Sequence, residues 1–255
     1  EILNFARMIQ RNHGLNRLSH ISTAYVAGKR KGLIKEEELS DQFGFNNSYE
    51  RSKYEGEKLI LAEKDYLPIS VFRPGLVIGH SETGWIQTFN TLYVLIRLYM
   101  MGKLSLLPAN PAKKVNLVPA DFVARAISDL TFDVRAKGTS FHLVSHPRNL
   151  PSAAELAHFI RNWTGDKLDF SISRAKFVRL PGFAVDFLAK KDYIPLEKRF
   201  PVIRYFRYFL PYLFERRIFD RTNLENLFRE NEPGWKDYFP NILEFASNKN
   251  FLHDT

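Results

Sequence analysis

Apolar residues recur along this chain at two spacings, and the switching between them predicts its elements. Ile2, Leu3, Phe5, Ala6 and Ile9 fall at helical spacing over residues 1–12, and His13-Gly14 ends that helix. Leu18 to Thr23 then has the short apolar character of a buried strand. Gly28 to Asn47 is polar and glycine-bearing, which predicts a loop of the kind that borders a site. Ser48 is placed to cap a helix running to about Lys64, with Leu59, Ile60 and Ala62 toward the core. Leu67 to Phe72 is the next strand, with Pro68 tolerated at its start. Trp85–Met101 carries the pattern of a long amphipathic helix closed by Gly102.

Val115–Val118 predicts a strand, followed by a helix over Phe122–Leu130 that opens at Pro119-Ala120-Asp121 with Asp121 as its cap. Ser140–Val144 is again a strand and Ala153–Trp163 a helix. Strands alternating with helices of this length predict an α/β fold built on a parallel sheet. The character changes near Leu150. Beyond it the chain is more aromatic and basic, most densely from Arg199 to Phe214, and a mainly helical cap or substrate-binding region over 151–255 is expected beside the sheet of 1–150.

Composition narrows the functions open to such a fold. The 255 residues, 45% hydrophobic and 25% charged, suffice for a real core. The absence of cysteine excludes a disulfide scaffold and thiolate metal sites and fits a reducing compartment. Lys+Arg 37 against Asp+Glu 28 leaves +9, which favours anionic partners such as nucleotides, phosphopantetheine carriers or lipid headgroups. Zinc-finger spacing and RNA-binding aromatic signatures are missing, so no nucleic-acid partner is expected. The seven histidines show no metal-ligand spacing, and no Gly-x-Ser-x-Gly elbow supports a serine hydrolase.

Glu1-Ile2-Leu3-Asn4 lacks the basic start of a signal peptide, and Gln87, Asn90 and Arg97 interrupt the longest apolar helix. A cytoplasmic location is expected. Arg199–Arg217 offers peripheral membrane contact, although Pro201 and Pro211 interrupt it. The chain does not begin with Met, which suggests an excised piece.

The candidate chemistry lies between residues 19 and 79. Tyr49 and Lys53 are four apart on a predicted helix and share a face, about 5–6 Å between Cβ atoms. An ammonium beside a phenol favours the phenolate, so such a pair can handle protons near neutral pH. Thr23, or its neighbour Ser22, stands at a strand end, where open α/β sheets bind ligands. The Tyr-x-x-x-Lys spacing also occurs at Tyr25/Lys29, Tyr54/Lys58 and Tyr99/Lys103. The first of these spans Gly28 and the last a helix-ending glycine, while Tyr54 lies about 140° round the helix from Tyr49.

Context separates the remaining pairs. Ser22-Thr23-Ala24-Tyr25-Val26-Ala27-Gly28, Tyr49-x-x-Ser52-Lys53 with Glu57, Arg73-Pro74-Gly75-Leu76-Val77-Ile78-Gly79 and Val118-Pro119-Ala120-Asp121-Phe122 occur in order. Together they resemble the extended short-chain dehydrogenase/reductases, most closely the thioester-reductase, fatty acyl-CoA reductase and male-sterility branch. The resemblance covers the chain to about Val144 and implies a Rossmann-like, doubly wound parallel sheet, incomplete here. Neither Gly-x-Gly-x-x-Gly nor Gly-x-x-Gly-x-x-Gly is found, so the pyrophosphate-binding half is missing, and by that architecture roughly 90–110 residues are expected upstream.

The resemblance further implies Tyr49 as the proton donor or acceptor, Lys53 as the ribose-binding partner and Thr23 as the hydroxyl that orients a carbonyl oxygen, with Ser22 the alternative. Pro74, Gly75, Leu76 and Val77 would form the turn against a nicotinamide, and Asp121 would be structural. It implies an NADPH-dependent oxidoreductase, with NAD as the alternative, acting on acyl-CoA or carrier-bound thioesters to give aldehyde or alcohol. A nucleotide-sugar epimerase or dehydratase, a hydroxysteroid-type dehydrogenase and a non-catalytic module of the same fold stay open.

Overall fold

The computed structural model describes residues 1–89, 91–104, 106–168, 171–180, 211–214 and 217–249. Its elements in chain order are α1 (Ile2–His13), β1 (Leu18–Ile21), β2 (Gly32–Ile34), α2 (Ser48–Leu61), β3 (Ile69–Pro74), β4 (Leu76–Ile78), α3 (Thr91–Met100), β5 (Leu106–Pro108), β6 (Leu117–Pro119), α4 (Ala120–Phe132), β7 (Ser140–Leu143), α5 (Ala153–Leu168), β8 (Lys176–Val178), β9 (Arg217–Phe219), α6 (Thr222–Leu227) and α7 (Trp235–Asn248). The expectations for Arg199–Arg217 fall largely outside the described residues.

Contacts group the chain into two units. One comprises Glu1–Ile78, Asn116–Pro147 and Arg217–Glu232 and contains the residues of the candidate chemistry. Its centre is a parallel sheet in the order β1-β3-β7. Alternation along β3 sends Ile69 and Val71 to one face, where they pack with Leu67, Ala6 of α1 and Ile60 of α2. Phe72 goes to the other face, against Phe122, Ala126 and Leu130 of α4, Phe141 of β7 and Leu224 of α6. Helices on both faces of a parallel sheet make the doubly wound architecture that the sequence predicts. Phe72 and Phe141 stack at 5.6 Å in the second layer.

The outer edge of β7 is closed by side chains. The His142 amide donates to Glu36 Oε1 at 2.9 Å, and Asn223 Nδ2 donates to the Ser140 carbonyl at 3.0 Å. Glu36 and Asn223 thus satisfy the ladder groups that an unpaired edge strand would expose.

The same unit carries two smaller parallel pairs. β4 pairs with β6, and β2 pairs with β9 in the register Gly32↔Arg217, Leu33↔Ile218 and Ile34↔Phe219. The stretch expected as loop from Gly28 to Asn47 therefore contains a strand. Two other boundaries differ from expectation. Asn47 rather than Ser48 caps α2, its side chain accepting from the Glu50 amide. Pro119 rather than Asp121 occupies the cap position of α4. Asp121 lies in the first helical turn, where its carboxylate accepts from Arg125 Nη1 at 3.0 Å.

The second unit comprises Gly79–Val115, Arg148–Arg216 and Pro233–Thr255. It holds α3, α5, α7 and the parallel pair β5–β8. Trp235 and Phe239 of α7 meet Phe159 of α5 edge to face. The helix predicted from Trp85 begins only at Thr91. Residues 80–85 form a turn, with Gly84 N donating to the His80 carbonyl and His80 N to the Trp85 carbonyl, both at 2.8 Å. Among the described residues no helix is long and apolar enough to cross a membrane, and no metal-binding cluster of His, Asp or Glu occurs.

Candidate active site

The site is built at the carboxyl ends of β1 and β3. Beyond β1, Ser22 N donates to the Phe72 carbonyl at 2.7 Å, extending the pairing by one residue. Thr23 follows in extended conformation and caps a 3-10 turn over Ala24–Ala27, its Oγ1 accepting from Tyr25 N at 3.3 Å. The same hydroxyl donates to the Pro74 carbonyl at 3.4 Å. Ser22 Oγ is buried and has no hydrogen-bond partner.

Gly28 ends the 3-10 turn at φ 59°, and a Cβ there would lie 2.1 Å from the Gly44 carbonyl oxygen. Both its left-handed backbone and this close approach require glycine. The packing ties the chain after Thr23 to the segment that leads into α2.

α2 is fixed firmly at its start. Asn47 Oδ1 accepts from the Glu50 amide at 2.9 Å, while Glu50 Oε2 accepts from the Asn46 amide at 2.7 Å. This exchange resembles a capping box displaced by one residue. It sets Tyr49 in the first helical turn, where unpaired N–H groups favour negative charge. Tyr49 is 52% exposed. One turn on, Lys53 Nζ donates to the Ile21 carbonyl at 3.4 Å, reaching the end of β1. A further turn on, Glu57 is fully buried.

The other tyrosines at the same spacing are differently placed. Tyr54 is buried with its ring 5.1 Å from that of Phe45. Tyr99 is buried and its hydroxyl donates to the Ser173 carbonyl at 3.4 Å. The Tyr25 ring packs against Phe219, and burial pushes its phenol up to about 12 despite the Arg217 cation. Tyr49 is the one of the four that presents an exposed phenol beside a lysine.

The turn after β3 is lined by backbone. Gly75 N donates to the Leu143 carbonyl at 3.0 Å and Leu76 N to the Asn116 carbonyl at 3.1 Å. A Cβ on Gly75 would come within 2.8 Å of Asn116 Oδ1, so glycine lets the chain pass from β3 to β4 beside β7. Thr23 thus stands beyond the end of β1 and the Pro74–Val77 turn at the end of β3. Lys53 of α2 reaches the β1 end, and Tyr49 lies one helical turn before Lys53. An ammonium and an exposed phenol one helical turn apart suit the ribose and nicotinamide end of a dinucleotide.

A buried polar band beneath α2 was not legible in the sequence. Arg73 donates to Glu57 Oε1 through Nε at 3.0 Å and Nη2 at 2.5 Å, and through Nη1 to the carbonyls of Glu36 and Glu38 at 2.8 and 3.2 Å. On β7, His142 Nδ1 lies 2.8 Å from the Asp220 carbonyl, which can only accept, so Nδ1 carries the proton. Its Nε2 then faces Arg73 Nη1 at 3.5 Å as an acceptor. Burial and the Arg73 cation push His142 down to about 3. Glu36, enclosed beside it, is lifted by burial to about 7, against the pull of the His142 and Asn223 amides. Glu57 and Arg73 stand in the sequence motifs around Tyr49 and Pro74, but their pairing, and the part of Glu36 and His142, emerge only in the fold.

Residues 1–127 match the family described as male sterility protein. The alcohol-forming fatty acyl-CoA reductase of Simmondsia chinensis is 23% identical, with 97% of this chain and 71% of that protein covered. The L-2-aminoadipate reductase large subunit of Penicillium chrysogenum is 33% identical over 131 residues, which are 50% of this chain but 9% of that protein. Among solved structures, the terminal R domain from the myxalamid PKS-NRPS biosynthetic pathway superposes with a TM-score of 0.72 at 21% identity, covering 96% of this chain and 61% of that one. The chain thus spans less than two thirds of that R domain and under a tenth of the fungal reductase subunit. From its matched residues and its fold, the chain belongs to the extended short-chain dehydrogenase/reductases, in the male-sterility and thioester-reductase branch.

Proposed function

We propose that the protein takes part in NADPH-dependent reduction of an acyl thioester, CoA-bound or carrier-bound, to the aldehyde or onward to the alcohol. The observation that carries this reading is the exposed Tyr49 phenol with Lys53 one turn away, at the strand ends that also carry Thr23. Relatives described as fatty acyl-CoA reductase and aminoadipate reductase support the substrate class.

Bound NADPH supplies the hydride. Tyr49 gives its proton to the substrate oxygen as hydride adds to the thioester carbon. The phenolate takes that proton back as the C–S bond breaks, leaving the aldehyde and a thiolate that solvent protonates. A second hydride with the Tyr49 proton would give the alcohol. Lys53, reaching across to the end of β1, holds the ribose and keeps positive charge near the phenol. Thr23 turns its hydroxyl from the Pro74 carbonyl to the substrate oxygen, with Ser22 the alternative donor. The Pro74–Val77 turn offers backbone to the nicotinamide.

Incubating the full-length protein with NADPH and a long-chain acyl-CoA, a carrier-bound acyl thioester or a UDP-sugar tests this. Cofactor oxidation with aldehyde or alcohol formed from either thioester is the expected result. Turnover of the UDP-sugar alone would reassign the site to sugar chemistry.

A further inference from the structure

The face of α2 that carries the candidate chemistry sinks steadily into the protein. Tyr49 is exposed, Lys53 is intermediate and Glu57 is fully enclosed, at successive four-residue steps. The buried end of this stripe is held by Arg73, itself fully enclosed, from the penultimate residue of β3, immediately before Pro74. Arg73 also grips two carbonyls of the loop after β2 and faces His142 of β7. One guanidinium therefore joins α2, two sheet strands and the loop after β2.

We propose that Glu57 and Arg73 are positioning residues of the active site: their buried ion pair sets the depth and rotation of α2, and hence where Tyr49 and Lys53 stand over the ends of β1 and β3. The proposal rests on the reductase reading and adds to it the group that holds the acid-base pair in place.

Three observations separate this from a pair that merely fills the core. Arg73 immediately precedes Pro74, whose carbonyl accepts from Thr23, so the same residue fixes the strand end whose carbonyl holds the hydroxyl. The pair also has no net charge, which leaves Lys53 as the cation of this stripe. Finally, His20 of β1 stands within the fields of both Glu57 and Lys53: burial lowers its affinity for a proton, Glu57 opposes this and Lys53 reinforces it. Glu57 stands one helical turn beyond Lys53, with Cβ atoms about 5–6 Å apart. His20 Nε2 and Glu57 Oε2 are both buried without hydrogen-bond partners.

Charge arithmetic gives the proposal its test. Glu57 lies eight residues beyond Tyr49, roughly 12 Å of helical rise. Glu57→Gln leaves the Arg73 cation uncompensated, and added positive field at Tyr49 favours the phenolate. Other charges around this band are Glu50 on α2, Glu36 in the loop after β2 and Arg217 on β9, all unaltered by the substitution.

The experiment uses the full-length protein with NADPH and acyl-CoA. For Glu57→Gln, kcat is expected to fall about tenfold to a hundredfold with the thioester KM held within about twofold. The pH–rate profile should move to lower pH by roughly half a unit to one unit. Glu57→Gln/Arg73→Met, which restores neutrality without the ion pair, should return the profile to its wild-type position while kcat stays low. Glu57→Asp keeps the charge and shortens the arm; it should lower kcat without moving the profile, and it serves if the Gln variant does not fold. An unchanged kcat in Glu57→Asp and in Glu57→Gln overturns the proposal, as does a loss confined to KM. If the wild type turns over no thioester, the reductase reading fails. NADPH affinity then reads the positioning: a several-fold loss in Glu57→Asp supports it and wild-type affinity overturns it.

Discussion

The Thr23 hydroxyl donates to the Pro74 carbonyl across 51 residues of sequence, at 3.4 Å. That contact joins the end of β1 to the end of β3, and the same oxygen caps the 3-10 turn by accepting from Tyr25 N. Thr23→Val keeps the shape and removes both bonds. It should lower stability by about 1 kcal/mol and reduce kcat of the full-length protein roughly tenfold or more. Thr23→Ser should recover most of both, read by urea unfolding and steady-state rates.

Tyr49 and Tyr54 are near neighbours on α2 with opposite environments, so their substitutions should separate activity from stability. Tyr49→Phe removes an exposed hydroxyl: kcat should fall by about 10²–10⁴ with an unaltered unfolding midpoint. Tyr54→Ala empties a buried site against Phe45 and should cost about 3–5 kcal/mol by chemical denaturation. Equal effects of the two substitutions on activity and stability would contradict the assignment of Tyr49 to the chemistry.

Glu36 and His142 impose opposite pH slopes on stability. Burial lifts the Glu36 carboxyl from 4.5 to about 7, so the folded chain holds a proton that the unfolded chain has lost, and stability falls as pH rises through that window. Burial, with the Arg73 cation, lowers His142 from 6.5 to about 3. There the unfolded chain holds the extra proton, and stability rises with pH up to about 6.5. Glu36→Gln removes the falling slope alone. Its stability relative to wild type should therefore improve by on the order of 3 kcal/mol between pH 4.5 and 7, starting from a deficit because one amide loses its acceptor. Urea unfolding at half-unit pH steps checks the sign.

Gly28 offers a test that touches no polar group. Gly28→Ala would place a methyl 2.1 Å from the Gly44 carbonyl oxygen, at a backbone angle of φ 59°. Strain and displacement together should cost more than about 1 kcal/mol. Because the 3-10 turn leads directly from Thr23, activity should fall with it, measured as kcat on the full-length protein.

The sequence carried the alternation of strands and helices clearly, because Ile69, Val71 and Phe72 mark β3 as a short apolar strand and α1 repeats its apolar residues at helical spacing. It misled at Trp85–Phe89, where aromatic residues at helical spacing belong to a lead-in turn and coil instead. It was silent on β2, a three-residue strand whose partner Arg217–Phe219 lies 185 positions later. Such pairing leaves no local periodicity. The polar band was hidden for a related reason. Glu36 begins the acidic run Glu36-Glu37-Glu38, which looks solvated, yet Glu36 is the fully buried member and Glu37 is exposed. Only the fold distinguishes them.

The closed edge of β7 has a directional consequence. With Glu36 and Asn223 occupying its outward amide and carbonyl, the three-stranded sheet can lengthen on one side only. Open ladder positions remain along β1, which has no second neighbour among the described residues. A strand joining there would lie beside Ile21, whose carbonyl already receives Lys53. Growth of the sheet and enclosure of its chemistry would then be a single event, so the platform is polarised toward its own active site.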